Sequence, residues 1–210
     1  RQSVSDSAEE ARYYHRLAQD ISGDVESWES LLADLDLKDQ ALNRLETWRS
    51  GVADSGEQEA RLVVDDIATA SVYAGSIPPP RNSTYEDLLA TGNLHLIQDE
   101  GFRTNLLEYY FQIQNGVDRI NSRVTGYDGF AYRLVPRDLV ETADNIARRN
   151  LTASEIMSII DRATQSDLES YLIAEQNRSK FLRSQVSGFL DSAKLLRDRV
   201  ESGPVGSATK

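Results

Sequence analysis

Two heptad patterns, one near each end of the chain, constrain the fold more than any other feature of the sequence. They occupy about residues 6–50 and 167–201, and in each the stripe positions alternate in steps of four and three. A helix with that spacing buries one narrow stripe against a neighbour. The first stripe comprises Tyr14, Ala18, Ile21, Val25, Trp28, Leu32, Leu35 and Leu42, with Asp39 as a charged break. The second comprises Leu168, Leu172, Glu175, Ser179, Leu182, Val186, Phe189, Ala193, Leu196 and Val200.

The segments between these patterns predict shorter helices. One runs over about 56–75 with a face of small residues, one follows Asp99 with apolar positions from Phe102 to Val124, and one covers 137–150. Three consecutive prolines at 78–80 interrupt these segments, because proline has no backbone donor with which to continue a helix.

We therefore predict an all-α fold, an elongated antiparallel helical bundle in which the long helices pair and the shorter ones complete the core. The predicted bundle is a single domain over residues 6–201, with flexible tails at 1–5 and 202–210. Pairing of the same stripes between two copies of the chain is the alternative.

Residues 84–110 combine several helix-boundary signals with a histidine, tyrosines and carboxylates. The spacing Ser83–Glu86 is that of a capping box, in which Glu86 would cap the start of a short helix. Gly92 is expected to end that helix in a left-handed conformation, and Asp99 is expected to be the N-cap of the next one. Leu94 and Ile97 are predicted to insert into the bundle. The stretch therefore reads as a structural corner of the fold.

Composition and charge exclude several classes of function. With 23 basic and 34 acidic residues the net charge is −11, and such a surface repels phosphate backbones, so we predict no nucleic-acid partner. The absence of cysteine excludes disulfides, thiolate metal sites and cysteine nucleophiles. No apolar run reaches the roughly 18–20 residues that span a bilayer. Membrane association is therefore expected only through a segment upstream of residue 1.

The sequence offers no motif typical of an enzyme. Neither His15 nor His95 belongs to a Glu-x-x-His or His-Glu-x-x-His spacing, and no phosphate-binding loop or nucleophile elbow is present. The paired acids at Asp20 and Asp24 and at Asp65–Asp66 are interpreted as solvated faces of an acidic protein. We predict no catalytic residue, no metal site and no cofactor. A carboxylate metal enzyme is the least favoured of the readings that the acids leave open.

Four residues are candidates for ligand binding. Tyr85, His95, Arg103 and Tyr110 carry polar groups on segments expected to pack together, and tyrosine can line a pocket between helices. Tyrosine at such positions is more often a wide core residue whose hydroxyl reaches the rim. These four residues therefore define the runner-up hypothesis of a ligand-binding bundle.

A Tyr-Tyr-rich first helix is followed by the pattern Tyr-x-x-Leu-x-x-x-Gly-x-Leu-x-x-Ile and by a Leu-x-x-Tyr-Tyr helix. The two later motifs fall on Tyr85, Leu88, Gly92, Leu94, Ile97, Leu106, Tyr109 and Tyr110. In these motifs, residues 8–115 resemble an uncharacterised bacterial family in which an N-terminal transmembrane helix precedes an all-helical domain. The resemblance implies a membrane anchor upstream of residue 1 and a domain on the extracytoplasmic, periplasmic side of a bacterial inner membrane. It implies no activity.

The hypothesis that follows is a non-enzymatic, membrane-tethered extracytoplasmic helical domain. It would act through contacts with a protein partner or with a second copy of itself, and no small molecule is firmly predicted. The alternative is a periplasmic sensory bundle that binds a ligand between its helices. A pocket with convergent polar groups would favour the alternative, and an unsatisfied apolar surface would favour protein contacts.

Overall fold

A computed structural model describes residues 4–51, 56–72, 77–135 and 151–202 of the chain. Seven α-helices and one 3-10 turn account for the secondary structure of these residues, among which no strand occurs. In chain order they are α1 (Val4–Ser50), α2 (Glu57–Val72), α3 (Ser83–Ala90), the 3-10 turn Asn93–Leu96, α4 (Glu100–Asn121), α5 (Tyr127–Leu134), α6 (Ala153–Thr164) and α7 (Leu168–Ser202). The predicted all-α bundle with long helices at both ends is confirmed.

The bounds of the long helices differ slightly from those expected. Helix α1 begins at Val4 and continues unbroken through Gly23 to Ser50. Val4, Ser5 and Ser202 belong to these helices, so the expected flexible tails are wrong at those three residues. Residues 1–3 and 203–210 lie outside the described residues. The helix expected over 137–150 lies outside them as well.

The described residues form two compact units, and both long helices contribute residues to each unit. The first unit contains residues 4–31, 77–121 and 184–202, and the second contains residues 32–51, 56–72, 122–135 and 151–183. The expectation of one domain over residues 6–201 stays a prediction.

The core of the first unit is built from α1, α3, α4 and α7. Tyr14 of α1 contacts Phe102 of α4 with ring centroids 5.3 Å apart, and Trp28 contacts Phe189 of α7 at 5.6 Å. Gly116 on α4 makes room for that phenylalanine, since a Cβ there would lie 2.3 Å from the ring. Aromatic pairs of this kind contribute beyond the apolar area they bury.

The core of the second unit brings α1, α2, α5, α6 and α7 around one apolar cluster. Helix α2 turns its small-residue face inward, as predicted, with Ala60, Val63, Val64, Ile67, Ala70 and Ser71 all buried. The two long helices run antiparallel here, because Asp39 pairs with Arg183 whereas Arg49, further along α1, pairs with Glu169. The antiparallel pairing predicted from the two stripes is therefore observed within this unit.

The stripe on α7 is confirmed at all ten predicted positions, each of which is buried. The stripe on α1 is confirmed at six of its eight predicted positions: Tyr14, Ile21, Val25, Trp28, Leu35 and Leu42 are buried. Ala18 and Leu32 are half-buried, as is Asp39 at the charged break. The buried face is wider than the predicted stripe and also includes Leu17, Asp24, Lys38 and Leu45, because a helix inside a bundle covers a wider face than a two-stranded coil does.

Helix boundaries follow some of the predicted caps and contradict others. The Asp99 carboxylate accepts a hydrogen bond of 2.9 Å from the Phe102 backbone N–H, which confirms the predicted N-cap of α4. Thr152 and Glu155 form a complete capping box at the start of α6. The capping box predicted for Ser83–Glu86 is wrong. The N-cap of α3 is Asn82, whose side chain donates 2.5 Å to the Glu86 carboxylate, and the helix receives its side-chain acceptor from α1.

Helix α4 ends earlier than the apolar pattern suggested. Its predicted face is buried from Phe102 to Ile120, but Val124 is 85% exposed because the helix has ended at Asn121. Gly126 then adopts a left-handed φ of 75° and α5 begins at Tyr127.

Gly92 has the left-handed conformation that its position after α3 predicts, with a φ of 72°. We expect Gly92→Val to lower the free energy of unfolding by about 1–3 kcal/mol, because a β-branched residue is strained at positive φ. Thermal unfolding measures the effect, and Gly92→Asn should lose much less. Gly188→Ala is the control, since this helical glycine has open space around its Cβ position. Equal melting temperatures for Gly92→Val and the unsubstituted protein would contradict the assignment.

Candidate functional site

A groove of about 480 Å³ lies in the first unit. One wall is the segment Ile77–Arg81, here called the strap, which carries the three prolines. The floor and opposite wall come from α3 and α4. The lining residues are Ile77, Pro78, Pro79, Pro80, Asn82, Tyr85, Glu86, Leu89, Tyr110, Phe111, Ile113, Gln114 and Val117. This set is called the strap groove below.

Two carboxylates of α1, the buried Asp24 and the half-buried Asp20, hold the strap and the start of α3 in place. Asp24, only 1% exposed, accepts a hydrogen bond of 2.7 Å from the Arg81 backbone N–H. One turn earlier, Asp20 accepts 3.0 Å from the Thr84 N–H and 3.4 Å from the Ser83 hydroxyl. An acid near the first turn of a helix satisfies free N–H groups there. Helix α3 is thus capped by a distant part of the chain.

A chain of hydrogen bonds continues from Asp24 into the core. The Tyr109 hydroxyl donates 2.8 Å to the other Asp24 oxygen, and the Trp28 indole N–H donates 3.1 Å to the Tyr109 hydroxyl. The Asp24 oxygens, the Tyr109 hydroxyl and the Trp28 indole N–H all have hydrogen-bond partners. This network therefore fixes the relative positions of α1, α4 and the strap.

The floor of the strap groove is an aromatic stack. The rings of Tyr85 and Tyr110 lie 4.4 Å apart and nearly parallel, at 21°. The Tyr110 hydroxyl donates 2.8 Å to the Arg81 carbonyl, so it is turned to the strap and away from the groove. Burial raises the pKa of Tyr110. The groove therefore presents ring faces more than hydroxyl groups to a ligand.

Exposed apolar side chains rim the strap groove. Phe111 is 69% exposed and Leu89 is 47% exposed, and both contribute to the lining. Phe111 also lines a shallower groove of about 270 Å³ between α4 and α7. Phe111 therefore adds exposed apolar surface between the two grooves, and exposed apolar surface of this kind is typical of interaction sites.

Burial raises the pKa of Asp24, although hydrogen bonds from the Arg81 N–H and the Tyr109 hydroxyl act against that shift. A carboxyl group with a raised folded-state pKa destabilises the fold once pH rises above its ordinary value of about 3.9. We therefore expect the difference in unfolding free energy between the protein and Asp24→Asn to decrease as pH rises from acid towards neutral. Urea titrations of both proteins across this range measure it. A difference that is constant with pH would contradict a buried, titrating Asp24.

The second unit contains a different polar site, a buried ion pair. The Lys38 ammonium donates to the Glu175 carboxylate, and both side chains are 1% exposed. The Thr125 hydroxyl and the Arg178 guanidinium, at 3.2 Å, also donate to Glu175. Burial alone would raise the pKa of Glu175, but attraction to Lys38 and these hydrogen bonds lower it. Burial lowers the pKa of Lys38.

The four residues predicted to bind a ligand do not converge on one pocket. Tyr85 and Tyr110 line the strap groove together, whereas His95 and Arg103 do not line it. His95 is exposed and its Nδ1 lies 2.8 Å from the Gly92 carbonyl. Arg103 donates 3.0 Å to the Ile97 carbonyl. His95 and Arg103 therefore support the corner after α3, where Ile97 is fully buried and Leu94 half-buried.

The acids interpreted as solvated faces are partly structural. Asp24 and Asp66 are buried, and Asp66 accepts both an Nε–H and a terminal N–H from Arg44, at 2.9 Å and 2.6 Å. Both residues lie among the buried apolar positions of their helices, α1 and α2. That position was the signal of burial, and the interpretation of these acids as solvated faces missed it. No group of three or more His, Cys, Asp or Glu residues in the described part of the chain is arranged to hold a metal ion.

Comparison of the chain with protein-family models finds no match, and comparison with curated proteins and with solved structures finds no significant similarity. The resemblance to a membrane-anchored bacterial family therefore stays a prediction. Among the helices of the described residues, none is both long and apolar enough to cross a membrane.

Proposed function

We propose that this chain is a non-enzymatic helical domain that acts through contacts with another protein, with the strap groove as its docking surface. The observation that carries this proposal is the exposure of Phe111 and Leu89 on the rim of a groove floored by stacked tyrosines. Large exposed apolar side chains around a concave surface are typical of protein interaction sites. Aromatic residues are also the ones that most often dominate binding energy at such sites.

The rigidity of the groove supports the same function. Its strap is hydrogen-bonded to α1 through Asp24 and to α4 through Tyr110. A surface that is ordered before binding loses less conformational entropy when a partner docks. In keeping with the family resemblance, we place the domain outside the cytoplasm on an anchor upstream of residue 1.

A photo-crosslinking amino acid at Phe111 in expressing bacterial cells tests the docking function. The expected result is an adduct whose crosslinked partner segment, made as a peptide, binds the purified protein. Binding should weaken by about thirtyfold in Phe111→Ala, the effect of losing a 2 kcal/mol contact. Leu195→Ala, at an exposed leucine of α7 outside the grooves, should leave binding unchanged. Equal crosslinking from positions 111 and 195 would contradict the proposal.

Binding of a small molecule in the same groove is the second candidate. Its volume of about 480 Å³ lies within the range of small-molecule sites, and Tyr85 and Tyr110 of the predicted ligand set line it. The polar groups available are Asn82, Glu86 and Gln114 on the lining. A ligand that raises the melting temperature of the unsubstituted protein but not of Tyr85→Ala would favour this candidate.

A further inference from the structure

We propose that the partner segment in the strap groove is basic and amphipathic, with lysine or arginine side chains set beside large apolar ones. The inference rests on the proposed docking function and adds the chemistry of the partner. It follows from the charges and hydrogen-bonding groups around the groove, taken with its apolar floor.

Among the described residues that line the groove, the one charged side chain is acidic. It is Glu86, which lies on α3 beside Tyr85. Arg81 at the end of the strap is not part of the lining, because its guanidinium lies against Gly23 of α1. Asp118 is exposed on α4, seven residues after Phe111 and four after Gln114, so it shares their face of the helix. The net charge of −11 adds a wider negative field, which favours the approach of a cationic partner.

The strap wall also favours a partner rich in hydrogen-bond donors. Pro78, Pro79 and Pro80 have carbonyl oxygens but no N–H groups, so their backbone can accept hydrogen bonds and cannot donate them. Lysine and arginine carry only donors. The neighbouring Phe111 ring, which is 69% exposed, can attract a cation to its face as well.

The apolar residues that line the strap groove are the reason for expecting apolar side chains in the partner. Leu89, Phe111, Ile113 and Val117 present aliphatic or aromatic carbon to the groove. A purely polar cationic chain would leave this surface in water, whereas leucine-sized side chains would cover it. A second copy of this chain fits less well, because its net charge has the same sign as the groove.

Fluorescence anisotropy with three labelled peptides of one amphipathic leucine pattern tests the inference. The polar positions carry lysine in the first peptide, glutamate in the second and glutamine in the third. We expect the leucine–lysine peptide to bind at least about tenfold more tightly than the leucine–glutamate peptide, a difference of 1.4 kcal/mol. Phe111→Ala and Leu89→Ala should each weaken it by about tenfold or more. Leu195→Ala should not.

The matched variant Glu86→Gln isolates the charge. We expect it to weaken the leucine–lysine peptide by about two- to fivefold, the range for an exposed ion pair, and to leave the leucine–glutamine peptide unchanged. Added salt should reduce the first effect.

The contrary outcomes separate the two proposals. Equal binding of all three peptides, with loss in Phe111→Ala, would overturn the basic partner and leave the docking surface. If the leucine–lysine peptide binds every variant equally, it binds through non-specific attraction to the net negative charge of the protein. This result would overturn both proposals. A dimer detected by light scattering and abolished by Phe111→Ala would overturn the basic partner in favour of a second copy.

Discussion

Replacing Glu175 with leucine is expected to lower the free energy of unfolding by about 3–5 kcal/mol at neutral pH, because it leaves Lys38 without a partner in the core. Lys38 is 0% exposed, so its ammonium cannot turn to water without moving α1. Thr125 and Arg178 lose the same acceptor. Urea unfolding followed by circular dichroism measures the change.

The double variant Lys38→Met, Glu175→Leu is the control for this result. Replacing both partners of a buried ion pair with apolar residues of similar size is often neutral or stabilising. We expect the double variant to recover most of the stability that Glu175→Leu loses. A double variant as unstable as Glu175→Leu would mean that packing at these positions, and not the unpaired charge, causes the loss.

The pH dependence gives an independent check on the same pair. Burial already lowers the pKa of Lys38, and removal of Glu175 should lower it further. A lysine with a lowered folded-state pKa destabilises the fold below that pKa, and the penalty disappears as pH rises towards its ordinary value of about 10.4. The deficit of Glu175→Leu should therefore shrink at alkaline pH. A deficit that grows with pH would contradict a buried, unpaired ammonium.

Replacing Trp28 with alanine is the second change expected to have a large effect, about 3–5 kcal/mol. Trp28 is 1% exposed, contacts the Phe189 ring and donates its indole N–H to the Tyr109 hydroxyl. Alanine removes the ring from the core of the first unit and leaves a cavity. Thermal and urea unfolding report the loss.

Trp28→Phe separates packing from hydrogen bonding. It keeps an aromatic ring but removes the donor to Tyr109, whose hydroxyl still donates to Asp24. We expect it to lose about 1–2 kcal/mol, from one hydrogen bond and a smaller ring. Leu195→Ala, at an exposed site of the same unit, should change stability by less than about 0.5 kcal/mol. Similar losses for Trp28→Phe and Trp28→Ala would place the effect in the hydrogen bond.

The buried positions of α7 were predictable because its apolar residues fit only one set of positions spaced alternately four and three apart. All ten positions from Leu168 to Val200 are buried, including Glu175 and Ser179, which the spacing placed inside despite their polarity. On α1 two neighbouring columns compete. The predicted column contains Val25, which is buried, and Ala18, which is half-buried, but the neighbouring column with Leu17, Asp24 and Lys38 is buried as well. A charged residue on a stripe is evidence of a buried pair only once its partner is known.

The strap groove could be predicted only in part. Sequence reading identified Tyr85, Tyr110 and the triple proline, but no local pattern reveals that Asp24 accepts the Arg81 N–H from 57 positions away. The cap of α3 is another long-range contact, which is why the local spacing Ser83–Glu86 gave the wrong cap. His95 and Arg103 were grouped with the tyrosines because they are close in sequence. In the structure they contact the carbonyls of Gly92 and Ile97 at the corner after α3 and do not line the strap groove.

Hydrogen exchange of the purified protein, with and without the leucine–lysine peptide, tests most directly the central claim that the strap groove is the docking surface. We expect slower exchange in the peptide-bound protein over residues 77–90 and 110–117, which carry the strap, α3 and the groove face of α4. The segments 46–50 and 169–176, which line a separate groove of about 240 Å³, should be unchanged. Protection confined to those two segments, or absent from 77–90 and 110–117, would contradict it.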